Sequence, residues 1–353
     1  MDAEGQRLLA RLPQLLSTGA VPAVLVTVFS TQGSVPRRPG ARMLCCAGQL
    51  VAGTVGGGHL EDQALRDAHW ASHNGAVADP QAPTPASEVR KETTENGGIR
   101  WLIRYPLGAK LAQCCGGVVW LHFEHVDRDR ACELAEQVKT CERSGQVFET
   151  EFGDAVLREM PKPLPVVLIL GAGHVAAALA QVLQPLPWHT LVIDERPQWA
   201  DAGRFAPTVQ VVCAHPLTVL AAWGWIGQAA QDSAVVQRAL ASQRGLPPAP
   251  QLAATYALVM THDHALDRDV VETLLLAHFR TGVATAPLPY VGLIGSRSKV
   301  AATQQRLVRR GVPTTEISRL VAPIGLHIEG QRLGGNLPGE IAIAVAAQLL
   351  TVI

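Results

Sequence analysis

Val166-Val-Leu-Ile-Leu-Gly-Ala-Gly-His-Val-Ala176, followed after a helix-length interval by Thr190-Leu-Val-Ile-Asp194, decides how the second half of this chain folds. Val166–Leu170 is a continuous apolar run, the pattern of a strand buried on both faces. It leads into Gly171-Ala-Gly173-His-Val-Ala176, a G-x-G-x-x-A fingerprint. The first glycine permits a tight turn, the second lets backbone approach a pyrophosphate, and the small third residue lets the next helix pack on the strand. Asp194 closes the second strand 21 residues after Gly173, where a carboxylate accepts from ribose hydroxyls. Strand, glycines, helix, strand and acid occur in order, which predicts a Rossmann-like unit with a nucleotide or NAD(P) as its ligand.

Working outward, further strand signals at Val209–Val212, Ala257–Met260 and Tyr290–Ile294 alternate with helical segments. That alternation predicts a doubly wound parallel sheet over 166–353. Pro161-Lys-Pro163-Leu-Pro165 cannot continue a helix or a central strand, so a Pro-rich linker is read at 159–165. Residues 1–158 read differently. Ala23–Phe29, a hairpin over Arg42–Val51 turning at Ala47-Gly48, Arg100–Tyr105 and Val118–Phe123 are strand candidates. Leu60–Ala71 and Arg130–Arg143 are helix candidates. The expected fold class is therefore α/β: a C-terminal Rossmann-like doubly wound parallel sheet plus an N-terminal mixed α+β domain. Gly75–Ser87, rich in small residues and proline, is read as an exposed loop. Ala214–Thr255 receives no functional reading.

Composition narrows the function. The 353 residues are 48% hydrophobic and 17% charged, enough apolar material for two cores. Thirty basic and thirty acidic residues balance, so no basic field awaits nucleic acid. No run reaches the roughly 18 apolar residues of a membrane helix, and the amphipathic start MDAEGQRLLARLPQLL does not read as a signal peptide. Seven cysteines without an export signal favour reduced thiols in a cytoplasm. Short-chain dehydrogenase chemistry needs a lysine four residues after a tyrosine, but Tyr105, Tyr256 and Tyr290 are followed there by Ala109, Met260 and Ile294. No C-x-x-C pair is present for a zinc alcohol-dehydrogenase site. Hydride transfer thus has a place for its cofactor and no evident catalytic apparatus.

Three clusters in the first half carry chemistry. Gly33-Ser-Val-Pro-Arg37-Arg38-Pro-Gly40 is a loop suited to an anion, either through bidentate guanidinium contacts or, blandly, as a turn with solvated arginines. Gly53-Thr-Val-Gly56-Gly57-Gly58-His-Leu-Glu61 bares backbone before a helix; it is a phosphate cradle, or a loop packed closely with Glu61 capping the helix. Gln113-Cys114-Cys115-Gly116-Gly117 offers soft thiolates to a metal or to sulfur transfer, unless the thiols are core residues. Cys45-Cys46 reads as core. In the second half, His262-x-His264 with Asp267 reads as a metal site or a hydrogen-bonded loop, and Arg297 follows a strand where a phosphate would sit.

Taken with Leu170-Gly-Ala-Gly-His-Val175, Val192-Ile-Asp-Glu-Arg-Pro197, Met260-Thr-His-Asp-His-Ala-Leu-Asp267, Tyr290-Val-Gly-Leu-Ile-Gly-Ser-Arg-Ser-Lys299 and Pro323-Ile-Gly-Leu326, these clusters resemble the XdhC family of xanthine dehydrogenase accessory proteins along nearly the whole chain. The resemblance implies a molybdenum cofactor-binding chaperone: it shelters the cofactor, supports exchange of an oxo for a sulfido ligand and delivers it to the xanthine dehydrogenase apoprotein. It implies a cysteine desulfurase as second partner and no substrate turnover of its own; a homo-oligomer is the expected assembly. Cys114 and Cys115 are the expected metal or sulfur contacts, with Gln113 beside them. Arg37, Gly56, Gly57, Gly58, Glu61, Gly171, Gly173, Asp194 and Arg297 complete the expected cofactor-binding set. Two segments depart from the family pattern, Gly108-Ala-Lys-Leu-Ala112 where it often has Gly-Pro-Ser-Leu-Gly, and Gln331–Leu337. The alternatives are an NAD(P)-dependent oxidoreductase and a cofactor-free assembly factor.

Overall fold

Asp2 starts the first element: its side chain accepts from Gly5 N–H at 2.9 Å, capping helix α1 (Ala3–Leu15). The structure is a computed structural model that describes residues 1–17, 23–74, 88–93, 99–108, 116–226, 246–280 and 286–353. The chain divides into two units, Met1–Pro163 and Leu164–Ile353.

The first unit continues with β1 (Ala23–Gln32), β2 (Arg42–Cys46), β3 (Gln49–Gly53), α2 (Gly58–Asn74), β4 (Glu88–Thr93), β5 (Ile99–Pro106), β6 (Val118–Val126), α3 (Arg128–Ser144), β7 (Phe148–Phe152) and β8 (Ala155–Glu159). Its sheet is antiparallel in the order β3-β2-β1-β6-β5-β4. The period of two along β1 sorts its side chains. Val24, Val26 and Val28 pack with Leu60, Ala64 and Ala68 of α2, while Ala23 and Leu25 pack with α1 and α3. The sheet is therefore buried on both faces. Ala47 (φ 50°) and Gly48 (φ 76°) turn the β2–β3 hairpin in the left-handed conformation a two-residue loop requires. The polar β4 and the β7–β8 hairpin lack a clear apolar run and escape a sequence reading; Phe152 nonetheless buries with Phe29 and Leu102.

The second unit holds β9 (Val166–Leu170), α4 (His174–Leu183), β10 (His189–Asp194), β11 (Val209–Cys213), α5 (Pro216–Ala222), β12 (Thr255–Val259), α6 (His264–Arg280), β13 (Tyr290–Leu293), α7 (Arg297–Arg309), α8 (Thr314–Ile317), β14 (Leu320–Val321), β15 (His327–Ile328), β16 (Gln331–Arg332) and α9 (Pro338–Leu349). Its parallel sheet runs β11-β10-β9-β12-β13-β14, the doubly wound order that reverses between β9 and β12. Val167 and Ile169 join α4 and α9 in one core; Leu168 and Leu170 join α5, α6 and α7 in the other. The doubly wound sheet expected from the sequence is thus present, beside an antiparallel first unit. Leu337 caps α9: its N–H donates to Glu340 Oε2 at 3.1 Å. Residues 75–87 and 227–245, within stretches read above as a loop and as unplaced, lie outside the described residues. Among the described residues no helix is long and apolar enough to cross a membrane.

Candidate functional site

The clusters at Gly33, Gly53 and Gly116 meet at one end of the first unit's sheet. Gly117 N–H donates to Ser34 O at 3.0 Å, and Leu107 N–H donates to Gly117 O at 2.9 Å. A Cβ on Gly117 would lie 2.3 Å from Ser34 O and 2.6 Å from Gln32 O, both backbone atoms. That close approach is the physical reason for glycine after the cysteine pair. Gly56, in turn, lies against Pro36: a Cβ there would stand 2.5 Å from the proline ring. The Gly33–Gly40 loop therefore touches both of the others. Gln113, Cys114 and Cys115, the expected metal and sulfur contacts, lie outside the described residues.

The glycine triplet forms a concave backbone loop, with φ of 141°, 74° and 58° at Gly56, Gly57 and Gly58. An anion already fills it. Glu61 Oε2 accepts from Thr54 Oγ1, from Val55 N–H at 3.2 Å and from Gly57 N–H at 3.2 Å, while Gly56 N–H donates to Thr54 Oγ1 at 3.1 Å. A cofactor phosphate does not fit beside that carboxylate, so the Gly56–Gly58 segment works as a turn that Glu61 organises. Arg37 is also engaged: it pairs with Glu4 at 2.6 Å and Asp2 at 3.4 Å, at the start of α1. Arg38 is the exposed cation of this loop, and Ser34 and His59 are exposed as well. Which of the two arginines the loop would turn outward was not legible from residue type; the acids at positions 2 and 4 were the available signal.

Cys45 and Cys46 behave as core. They point to opposite faces of β2, and burial pushes the Cys45 thiol up to about 12, so it stays protonated at neutral pH.

In the second unit, Gly171 has φ 111°, and a Cβ on it would stand 2.3 Å from Met260 O, so the turn out of β9 requires glycine. Gly173 faces open space; nothing lies within 4 Å of its Cβ position. No side chain caps α4, and its N-terminus opens toward the same space. Asp194 is buried and receives four hydrogen bonds, from Ala172 N–H and from the backbone and side chain of Arg196. Burial pushes its pKa up, but those bonds outweigh it and hold the carboxyl below its ordinary value.

The Thr261–Asp267 segment is held by hydrogen bonds. Asp267, fully buried, accepts from Thr261 N–H at 3.0 Å, Thr261 Oγ1 at 2.8 Å and Lys299 Nζ at 2.6 Å. Among the described residues no set of three His, Cys, Asp or Glu side chains is arranged to hold a metal ion. His262 and His215 lie instead against Glu195, at 4.0 and 3.6 Å. Arg297 starts α7 on a cleft of about 470 Å³, lined also by Ser296, His327, Gln331, Gly335 and Asn336.

Comparison with known proteins agrees with this architecture. The XdhC Rossmann domain matches residues 167–349, and the XdhC and CoxI family matches residues 17–78. A Bacillus subtilis (strain 168) protein described as a probable subunit of xanthine dehydrogenase is 22% identical, over 93% of this chain and 92% of its own length. The uncharacterised Escherichia coli (strain K12) protein YqeB is 24% identical, over 94% of this chain but 43% of its own length. A solved structure described as a xanthine dehydrogenase from Bacillus halodurans shares the fold with a TM-score of 0.61 at 20% identity, covering 98% of this chain and 95% of that one. With its Rossmann unit matched over more than half of the 353 residues and its first unit matched in part, the chain belongs to the XdhC family.

Proposed function

We propose that this chain is an accessory protein of xanthine dehydrogenase: it binds the molybdenum cofactor, shelters it, supports its sulfuration and hands it to the apoprotein. A cysteine desulfurase is the proposed source of sulfur and the cytoplasm the proposed setting. The observation that carries the reading is the junction at Ser34. Gly117, two residues beyond Cys115 in sequence, is fixed under the Ser34 carbonyl, and the same loop touches Gly56 and exposes Arg38. Thiolates, a hydroxyl and a guanidinium supplied by these sequence segments suit a ligand with a soft metal at one end and a phosphate at the other. When bound, the cofactor brings oxo and sulfido chemistry. The protein's own part is to hold it and keep water away. Cys114 and Cys115 are the proposed metal contacts, Gln113 lies beside them, and Arg38 replaces Arg37 and the filled Gly56–Gly58 loop as the proposed phosphate partner.

The test is retention. The protein is purified without oxygen, mixed with isolated cofactor and assayed for bound molybdenum and pterin. Wild type should retain both; Cys114→Ala or Cys115→Ala should lose molybdenum, and Arg38→Ala should weaken pterin retention. Wild type that retains neither overturns the reading. Co-purification of apo-dehydrogenase without cofactor points to the assembly factor instead, and turnover of a carbonyl or alcohol with NAD(P)H points to the oxidoreductase.

A further inference from the structure

Asp194 stands where a Rossmann fold usually binds the ribose diol, and its state here decides what kind of nucleotide the second unit accepts. A carboxylate offers about four acceptor positions. Four donors take them: Ala172 N–H at 2.7 Å and Arg196 Nη2 at 2.8 Å on one oxygen, Arg196 N–H and Nε, both at 2.9 Å, on the other. With its side chain only 3% exposed, Asp194 has no acceptor left for a sugar hydroxyl.

The group turned outward is cationic. Arg196 is fixed through Nε and Nη2 and has no protein partner for Nη1 among the described residues. Arg204 is fixed as well, donating Nη1 to the carbonyls of Ala172 at 2.9 Å and Trp199 at 2.6 Å. The guanidinium carbons of Arg196 and Arg204 lie 5.0 and 4.6 Å from the centre of the Trp199 ring. His174, the first residue of α4, meets that ring edge-on with centroids 5.1 Å apart. Two guanidinium groups are thus held in place beside the open face of Gly173, which is not the condition of solvated surface arginines.

We propose that the second unit binds a nucleotide carrying a phosphate on its ribose, and that Arg196, oriented by Asp194, recognises this phosphate together with Arg204. The guanidinium fork pairs with phosphate oxygens in a geometry that a neutral diol does not satisfy. Asp194 serves as a positioning residue that sets the fork before the ligand arrives. The proposal does not rest on the cofactor reading of the first unit.

Calorimetric titration of the full chain with NADPH and NADH tests it. NADPH should bind at least about tenfold more tightly than NADH, the usual contribution of a charge-assisted hydrogen bond, and rising salt should narrow the gap. Arg196→Ala and Arg204→Ala should each weaken NADPH by about tenfold or more, and by a larger factor than they weaken NADH. Arg196→Lys, which keeps the charge and loses the fork, should fall between. Equal affinity for the two nucleotides, a preference for NADH, or no binding of either overturns the proposal. The wild-type comparison decides the matter even where a variant fails to fold. Molybdenum retention measured on the same samples keeps this outcome separate from that of the first unit.

Discussion

At the scale of single residues, the two glycines after the cysteine pair are not equivalent. Gly116 has nothing within 4 Å of its Cβ position, whereas Gly117 would meet two backbone oxygens at 2.3 and 2.6 Å. Backbone cannot rotate away as a side chain can, so the cost falls on the junction with Ser34. Gly117→Ala should destabilise the first unit by about 1–3 kcal/mol, and Gly116→Ala should be near neutral. Thermal denaturation of the two variants side by side checks this; equal midpoints would remove Gly117 as the anchor of the motif. The same scale explains what residue type concealed. Glu61 lies four residues after Gly57, close enough for its carboxylate to fold back and fill the glycine loop itself.

At the scale of elements, β6 was legible as a strand but not as one buried on both faces. Val119, Leu121 and Phe123 form the apolar side that a period of two announces. The other side carries His122 and Glu124, residues that read as solvated. They are buried because α3 and the β7–β8 hairpin cover that face, and β7–β8 lacked a pattern strong enough to find. Arg100 and Arg130 neutralise Glu124 at 3.2 and 2.9 Å, and the rings of Phe29 and Phe152 flank His122. By contrast, the five longer parallel strands of the second unit were legible, since each is a short, mostly apolar run, whereas the two-residue strands β14, β15 and β16 were not. Burial above all holds His122 down to about 4, with Arg100, Arg42 and Arg130 acting the same way and Glu124 opposing them. The native state therefore binds fewer protons than the unfolded chain between pH 6.5, its ordinary value, and about 4. Stability from this residue is complete above pH 6.5 and declines as pH falls through that window, by about 3 kcal/mol in all. His122→Phe should flatten the decline, measured as urea midpoints from pH 7 to pH 4. An unchanged slope would show that other groups carry it.

At the scale of the whole chain, the two units have separate cores, and one ion pair closes the first of them across 117 residues. Arg42 of β2 and Glu159 at the end of β8 are both almost fully buried, joined through both oxygens of the carboxylate. Arg42 also donates to Gly40 O at 2.8 Å and lies over Phe148 at 5.6 Å. Nothing in the sequence marks Glu159 as internal: it directly precedes Met160 and the prolines, and it reads as the first residue of a connector. Only β8, paired to β7, carries it back to β2. Removing one partner of such a pair leaves a buried charge uncompensated, at a cost of about 3–5 kcal/mol. Glu159→Ala should therefore lower the melting transition of the first unit by on the order of 10 °C, and Glu159→Gln, which keeps an acceptor, by less. Scanning calorimetry of wild type and variant side by side checks this. A Glu159→Ala protein whose transition does not move would mean that water reaches Arg42 and that the pair is not what holds β8 to the sheet.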